Sequence, residues 1–189
     1  AAIAVVALSA TAAAAQVARP AADPAQWYIG AGAQGMSLTG VAGANLPTSL
    51  SNGIALTVGH RFNRYYAAEF SFAKSDAARS VVDPAGNYRT KLSVSGVSFD
   101  GYAFLPLFRG PVSLFATAGA GYYSGRAESS NAAAPLATDK QVVGYRAGGG
   151  IQWKFDTNFA IDATARYQHA DFGFAKSNLV YSISAKILF

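Results

Sequence analysis

The stretch Asn178–Phe189 reads NLVYSISAKILF. Leu179, Tyr181, Ile183, Ala185, Ile187 and Phe189 fall on one side of a period of two. Val180, Ser182, Ser184, Lys186 and Leu188 fall on the other. Successive side chains of an extended strand point to opposite faces, so this is a strand with one apolar and one more polar face.

The same alternation recurs toward the N-terminus. In Asn158–Asp171, Phe159, Ile161, Ala163, Ala165, Tyr167 and His169 oppose Ala160, Asp162, Thr164, Arg166, Gln168 and Ala170. In Gln141–Phe155, Val143, Tyr145, Ala147, Ile151, Trp153 and Phe155 oppose Gly144, Arg146, Gly148, Gly150, Gln152 and Lys154. Val112–Tyr123, Lys91–Leu105, Tyr65–Lys74, Gly53–Phe62 and Trp27–Ser37 complete a set of eight strands. Their polar faces carry Asp100, Glu69 and Arg61, while the opposite faces carry Phe99, Phe70 and Val58.

Period alone does not say which face is inside. The aromatic residues do. Trp27, Tyr66, Trp153, Phe155, Tyr167 and Phe189 lie near strand ends on the apolar face, where the girdles of a membrane barrel lie. The apolar face is therefore expected outward, toward lipid, and the small, polar face inward. Connections alternate in length. Asn63–Arg64, Pro106–Pro111 and Asp156–Thr157 are short, while Leu38–Asn52, Ser75–Arg89, Ser124–Lys140 and Asp171–Ser177 are long. Short periplasmic turns and longer surface loops are the asymmetry of outer-membrane barrels.

Composition agrees. Only 13% of the 189 residues are charged, against about 25% in soluble proteins, and 51% are apolar. The absence of Cys excludes disulfides, thiolate metal sites and a thiol nucleophile. Net charge is +5, but Lys and Arg are scattered singly between Arg19 and Lys186, a pattern that speaks against nucleic-acid binding. Anionic lipid headgroups are the more natural counter-charge.

Residues 1–15, AAIAVVALSATAAAA, read as the end of a secretory signal, cut after Ala15. Residues 16–26 read as a periplasmic tail, and 27–189 as the barrel domain. No apolar run after Ala15 reaches the length of a spanning helix. The remaining structure that can cross a bilayer is a closed β-barrel.

Four segments resemble the small eight-stranded outer-membrane barrels, the group that includes the transmembrane domain of outer-membrane protein A and the opacity-type porin-like proteins. They are WYIGAG (Trp27–Gly32), VGHRFNRYYAAEFSF (Val58–Phe72), WKFDTNFAIDATARYQH (Trp153–His169) and SISAKILF (Ser182–Phe189). The resemblance implies an all-β, up-and-down antiparallel barrel in the outer membrane, monomeric and without a cofactor. Its partners would be outer-membrane lipid, lipopolysaccharide and the barrel-assembly machinery. The final Phe189 matches the residue that this machinery reads.

By parity the interior ionisable set is Arg61, Glu69, Asp100, Arg146, Lys154, Asp162, Arg166 and Lys186. Charges screened from bulk water need partners. The set reads as a salt-bridged plug holding the barrel closed, and the alternative is a narrow gated ion path. Arg146 and Arg166 are expected near one another, with a carboxylate between them, and Asp162 is the first candidate. An enzymatic reading, a lipid A-modifying hydrolase, would use His169. Such enzymes place a Ser two positions after the His, where this chain has Asp171. His60 and His169 face outward and are read as girdle residues. Gly148–Gly150 lie mid-strand with no following helix, so they form no phosphate loop. The expected function is non-enzymatic: envelope integrity and loop-mediated surface contacts.

Overall fold

The computed structural model describes residues 25–39, 49–83, 86–107, 111–129 and 136–189. The expected signal segment, most of the tail, and parts of three surface loops and of one short turn lie outside the described residues. Gln26 already opens the first strand.

The alternating segments form eight strands: β1 (Gln26–Thr39), β2 (Ser49–Arg61), β3 (Tyr66–Asp83), β4 (Gly86–Pro106), β5 (Val112–Ser129), β6 (Leu136–Asp156), β7 (Phe159–His169) and β8 (Ser177–Leu188). Each pairs antiparallel with its sequence neighbours, and β1 pairs with β8, so the sheet closes on itself. Closure leaves no open edge within the bilayer, where an unpaired backbone group is costly. The seam runs from Tyr28–Leu188 to Thr39–Ser177. Phe189 extends it, exchanging backbone hydrogen bonds with Trp27 at 3.0 and 2.9 Å. Among the described residues no helix is long and apolar enough to cross a membrane.

The faces fall as the alternation requires. Trp27, Ile54, Phe70, Phe99, Ile151, Trp153, Ile183 and Phe189 are exposed on the outer wall. Glu69, Asp100, Arg146, Asp162 and Lys186 are buried inside. Two of the short turns are side-chain capped. Asn63 Oδ1 accepts from the N–H groups of Tyr65 and Tyr66 at 2.8 and 3.0 Å, and Asp156 Oδ1 accepts from Thr157 N–H at 2.6 Å.

Two expectations need correction. Most of Ser75–Arg89 and Ser124–Lys140 is strand, not loop. β3 and β5 have 18 residues and β4 and β6 have 21, against 11 in β7 and 12 in β8. A strand crosses a bilayer with about 9–11 residues. The four central strands therefore project well beyond the membrane. There the outer face is charged, with Lys74, Asp76, Lys91, Arg126 and Glu128, and the apolar alternation used to place strands is lost.

The interior is also not small and polar throughout. It is layered. Near the short turns lies an apolar cluster of Tyr28, Ala67, Tyr102, Phe104, Phe115, Ala160 and Leu188. At the opposite mouth lies another, with Met36, Leu38, Leu92, Val94, Ala127, Phe172, Phe174 and Val180 at its heart. Phe172 and Phe174 come from the β7–β8 loop, which folds back over the mouth as a cork. Glycine makes room for it: a Cβ on Gly125 would sit 2.6 Å from the Phe172 ring. Gly59 likewise gives the space of its missing Cβ to the Tyr28 ring.

Candidate functional site

Between the two apolar clusters lies the ion-pair layer. Its problem is set by register. Glu69 on β3 and Asp100 on β4 are direct cross-strand partners, both inward and both essentially inaccessible. Like charges so placed repel, and a buried carboxylate without a partner is expensive. Each is answered by cations from strands not adjacent to its own.

Arg146 on β6 takes Asp100. Its Nε donates to Oδ1 at 2.7 Å, and its Nη2 bonds the second carboxylate oxygen. This is a two-pronged pair, the geometry a guanidinium favours. The same Nη2 donates to Ser71 Oγ at 2.8 Å, and Ser71 shares a 2.7 Å hydrogen bond with Ser98.

Glu69 is the most heavily coordinated group. Lys186 Nζ on β8 donates to Oε2 at 2.6 Å, and the hydroxyls of Tyr28 and Tyr102 donate to the carboxylate at 3.1 and 2.8 Å. Arg166 stands 4.0 Å from Oε1 and donates to the Tyr102 hydroxyl at 2.5 Å. Lys186 also reaches Asp162 Oδ2 at 2.8 Å and lies against the rings of Tyr28 and Tyr102, at 4.6 and 5.1 Å. Gln152 Nε2 donates to Asp162 Oδ1 at 2.9 Å, and its carbonyl accepts from Arg61 Nη1 at 2.6 Å. Arg61 also donates to the backbone carbonyls of Asn63 and Arg64 at 3.2 and 3.1 Å, and its guanidinium lies 4.3 Å from the Phe104 ring.

Seven of the eight residues singled out by parity are thus inside and joined to the partners named above; the eighth, Lys154, is half-buried near the short turns and is not free either. One pairing differs from expectation. Asp162 does not bridge Arg146 and Arg166. Asp100 takes the first and Glu69 the second. Asp162 is four positions from Arg166 along one strand, whereas strand tilt and curvature bring residues of the opposite wall closer. Asp100 and Asp162 thus belong to separate ion pairs, the first with Arg146 and the second with Lys186. His169 stacks outside on Tyr145, with ring centroids 5.1 Å apart.

Sequence reasoning missed the supporting shell of Tyr28, Tyr102, Gln152 and Ser71, which parity places inward without assigning a role. It also missed the cork. A signal was present: Ala170, Phe172 and Phe174 continue the even-numbered inward face of β7. The cork is tied by Gly173, at φ +84°, whose N–H donates to Asp171 Oδ1 at 2.9 Å. Phe172 N–H donates to the Ala175 carbonyl at 3.0 Å, and Lys140 stands 3.9 Å from Asp171. The Gly173 N–H, followed by the Lys140 ammonium, holds the Asp171 carboxyl below its ordinary range.

A closed antiparallel barrel with a lipid-like outer wall, polar pairs within and aromatic residues near both ends is a transmembrane outer-membrane barrel. The chain belongs to the outer membrane protein β-barrel domain family, whose profile matches residues 1–185. Solved structures similar to it include Ail, the attachment invasion locus protein of Yersinia pestis, at 18% identity and TM-score 0.56, covering 87% of this chain and 97% of that one. Neisserial surface protein A is similar at 12% identity and TM-score 0.62, covering 90% and 100%. The N-terminal barrel domain of Pseudomonas aeruginosa OprF is similar at 12% identity and TM-score 0.55, covering 86% and 97%. No curated protein matches the sequence.

Proposed function

We propose that this protein is a non-enzymatic, non-conducting membrane anchor that presents a rigid four-stranded sheet for contacts outside the cell. The observation that carries this reading is the overshoot of β3–β6. Two residues beyond the outward Phe72, the β3 face changes to Lys74 and Asp76, an ion pair at 3.6 Å. Beyond Tyr122, β5 carries the Arg126–Glu128 pair at 2.6 Å. Between them, Asp76, Lys91, Ser93, Arg126 and Glu128 line a groove of about 300 Å³ on the sheet's outer side. Paired backbone holds this surface in shape, so a partner would find it pre-organised.

The part of the surface nearest the bilayer would meet lipopolysaccharide headgroups, and the rest would meet host or environmental macromolecules. The barrel would act as a monomer, exported by its N-terminal signal and inserted by the barrel-assembly machinery. Ail has been solved with a heparin analogue, sucrose octasulfate, which makes heparin the first probe to try.

The register defines the test. Ala77–Leu92 and Gly125–Lys140 are cross-strand pairs, so each hairpin can be shortened by joining them through a two-residue turn. Cells displaying the intact protein should retain labelled heparin or matrix glycoprotein, and cells displaying the double-trimmed barrel should not. Equal retention at equal folded surface levels would place the contact elsewhere. The channel reading meets two apolar clusters and the ion-pair layer in series along the lumen. Planar-bilayer recordings should show no discrete conductance steps, and steps reproducible across preparations would reverse this.

A further inference from the structure

Between the cork and the ion pairs lies a layer whose polar atoms are only partly matched. Asn178 on β8 is fully buried, and neither its Nδ2 nor its Oδ1 has a protein hydrogen-bond partner among the described residues. Its cross-strand neighbour Gln168 on β7 is 2% exposed, and its Nε2 is likewise unmatched. Arg166, two positions from Gln168 on the same inward face, has an unmatched Nε. Buried polar groups in folded proteins are almost always hydrogen-bonded, so four such atoms in one layer call for a ligand.

Rearranging the side chains does not remove the need. A direct amide–amide bond between Gln168 and Asn178 would match one donor and one acceptor. It would leave a second atom of Asn178 and the Arg166 Nε as they were. The atoms include donors and an acceptor, which suits a small molecule that can both donate and accept. A carboxylate could not do so, a phosphate is far too large for the space, and an acyl chain could do neither. Space is limited in the same sense. A void of about 10 Å³, lined by Gln34, Tyr123, Arg146, Gln168 and Val180, adjoins this layer. That is room for about one water molecule.

We propose that this layer is a hydration site: ordered water bridges Gln168, Asn178 and Arg166 beneath the aromatic cork. Phe172, Leu38 and Met36 close it toward the mouth, and the Arg146–Asp100 pair floors it. Such water would be long-lived, because leaving requires the cork or the ion pair to open.

The test is water–protein cross-relaxation by NMR on the deuterated, amide-protonated barrel in micelles. Each variant is first confirmed as folded by its heat-modifiable gel shift. Cross-peaks to bulk-frequency water are expected at the side-chain amides of Gln168 and Asn178. Their NOE and ROE should have the opposite signs that mark a bound molecule. Asn178→Leu, close in shape but without hydrogen-bonding atoms, should lose the peak at Gln168. If it fails to fold, Gln168→Met, read at Asn178, serves the same purpose. Absence of cross-peaks in the intact barrel would overturn the proposal, as would peaks that persist unchanged in the folded variant.

Discussion

Lys186 is the side chain on which the lumen depends most. The residue is 3% exposed, and its ammonium lies between two carboxylates, Glu69 from β3 and Asp162 from β7, joining β8 both to its neighbour and across the lumen. The net worth of a buried ion pair can be small, because desolvation offsets attraction. Removing one partner is different, since it strands the other charge, at about 3–5 kcal/mol. Lys186→Met would strand the Asp162 carboxylate and leave Glu69 with Arg166, 4.0 Å away, as its cation. We expect a stability loss of at least about 3–5 kcal/mol in urea unfolding of the refolded barrel. The triple variant with Glu69→Gln and Asp162→Asn should recover most of it, because the amide in place of the Glu69 carboxylate can accept from one tyrosine hydroxyl and donate to the other. A triple variant no more stable than the single one would show that Lys186 acts through packing. The inward position of Lys186 was legible from alternation alone. Its partners were not, because they lie 117 and 24 residues away and meet it only through strand tilt and closure.

The β7–β8 loop is the element whose behaviour responds to pH. Asp171 accepts from Gly173 N–H and faces Lys140, and both favour its ionised form. A carboxyl held low in the folded state contributes stability above its ordinary unfolded pKa of about 3.9, lost as pH falls through the lower folded value. The carboxyl is solvent-exposed and its contact with Lys140 is a surface one, so the cork should loosen locally while the barrel persists. The Gly173 amide shift should titrate with a midpoint below the ordinary carboxylate range, and Asp171→Asn should abolish the titration. A midpoint at or above that range would disprove the tie. At this scale the sequence was half legible. β7 and β8 were read nearly to their ends because lipid demands an apolar outer face. The upper parts of β3–β6 were not read, because both faces leave the bilayer and the alternation that reveals a strand is no longer required. Backbone pairing holds them extended there, with support from the inward Leu92 and Ala127 and from surface pairs such as Arg126–Glu128.

For the whole molecule, the decisive event is closure of the first strand on the last, and Phe189 sits at that seam. Its backbone is already tied to Trp27 in both directions, so this part of the seam is held without help from the ring. The ring projects from the outer wall, 66% exposed, in line with Ile187, Ala185 and Ile183. Two roles fit this position. As a girdle aromatic, it would contribute at most about 1.5–3 kcal/mol of apolar burial in lipid, wherever the barrel folds. As a feature of the last strand read during insertion, it would matter in cells and hardly at all in detergent. Phe189→Ala separates the roles better than deletion, because it keeps both backbone hydrogen bonds of the seam. We expect the variant to refold in micelles with a urea midpoint close to that of the parent, yet to yield several-fold less heat-modifiable barrel in outer membranes. Phe189→Tyr, which keeps the ring, should restore assembly. A comparable deficit in micelles and membranes would assign Phe189 to the girdle, and normal yield in cells would remove it from assembly altogether.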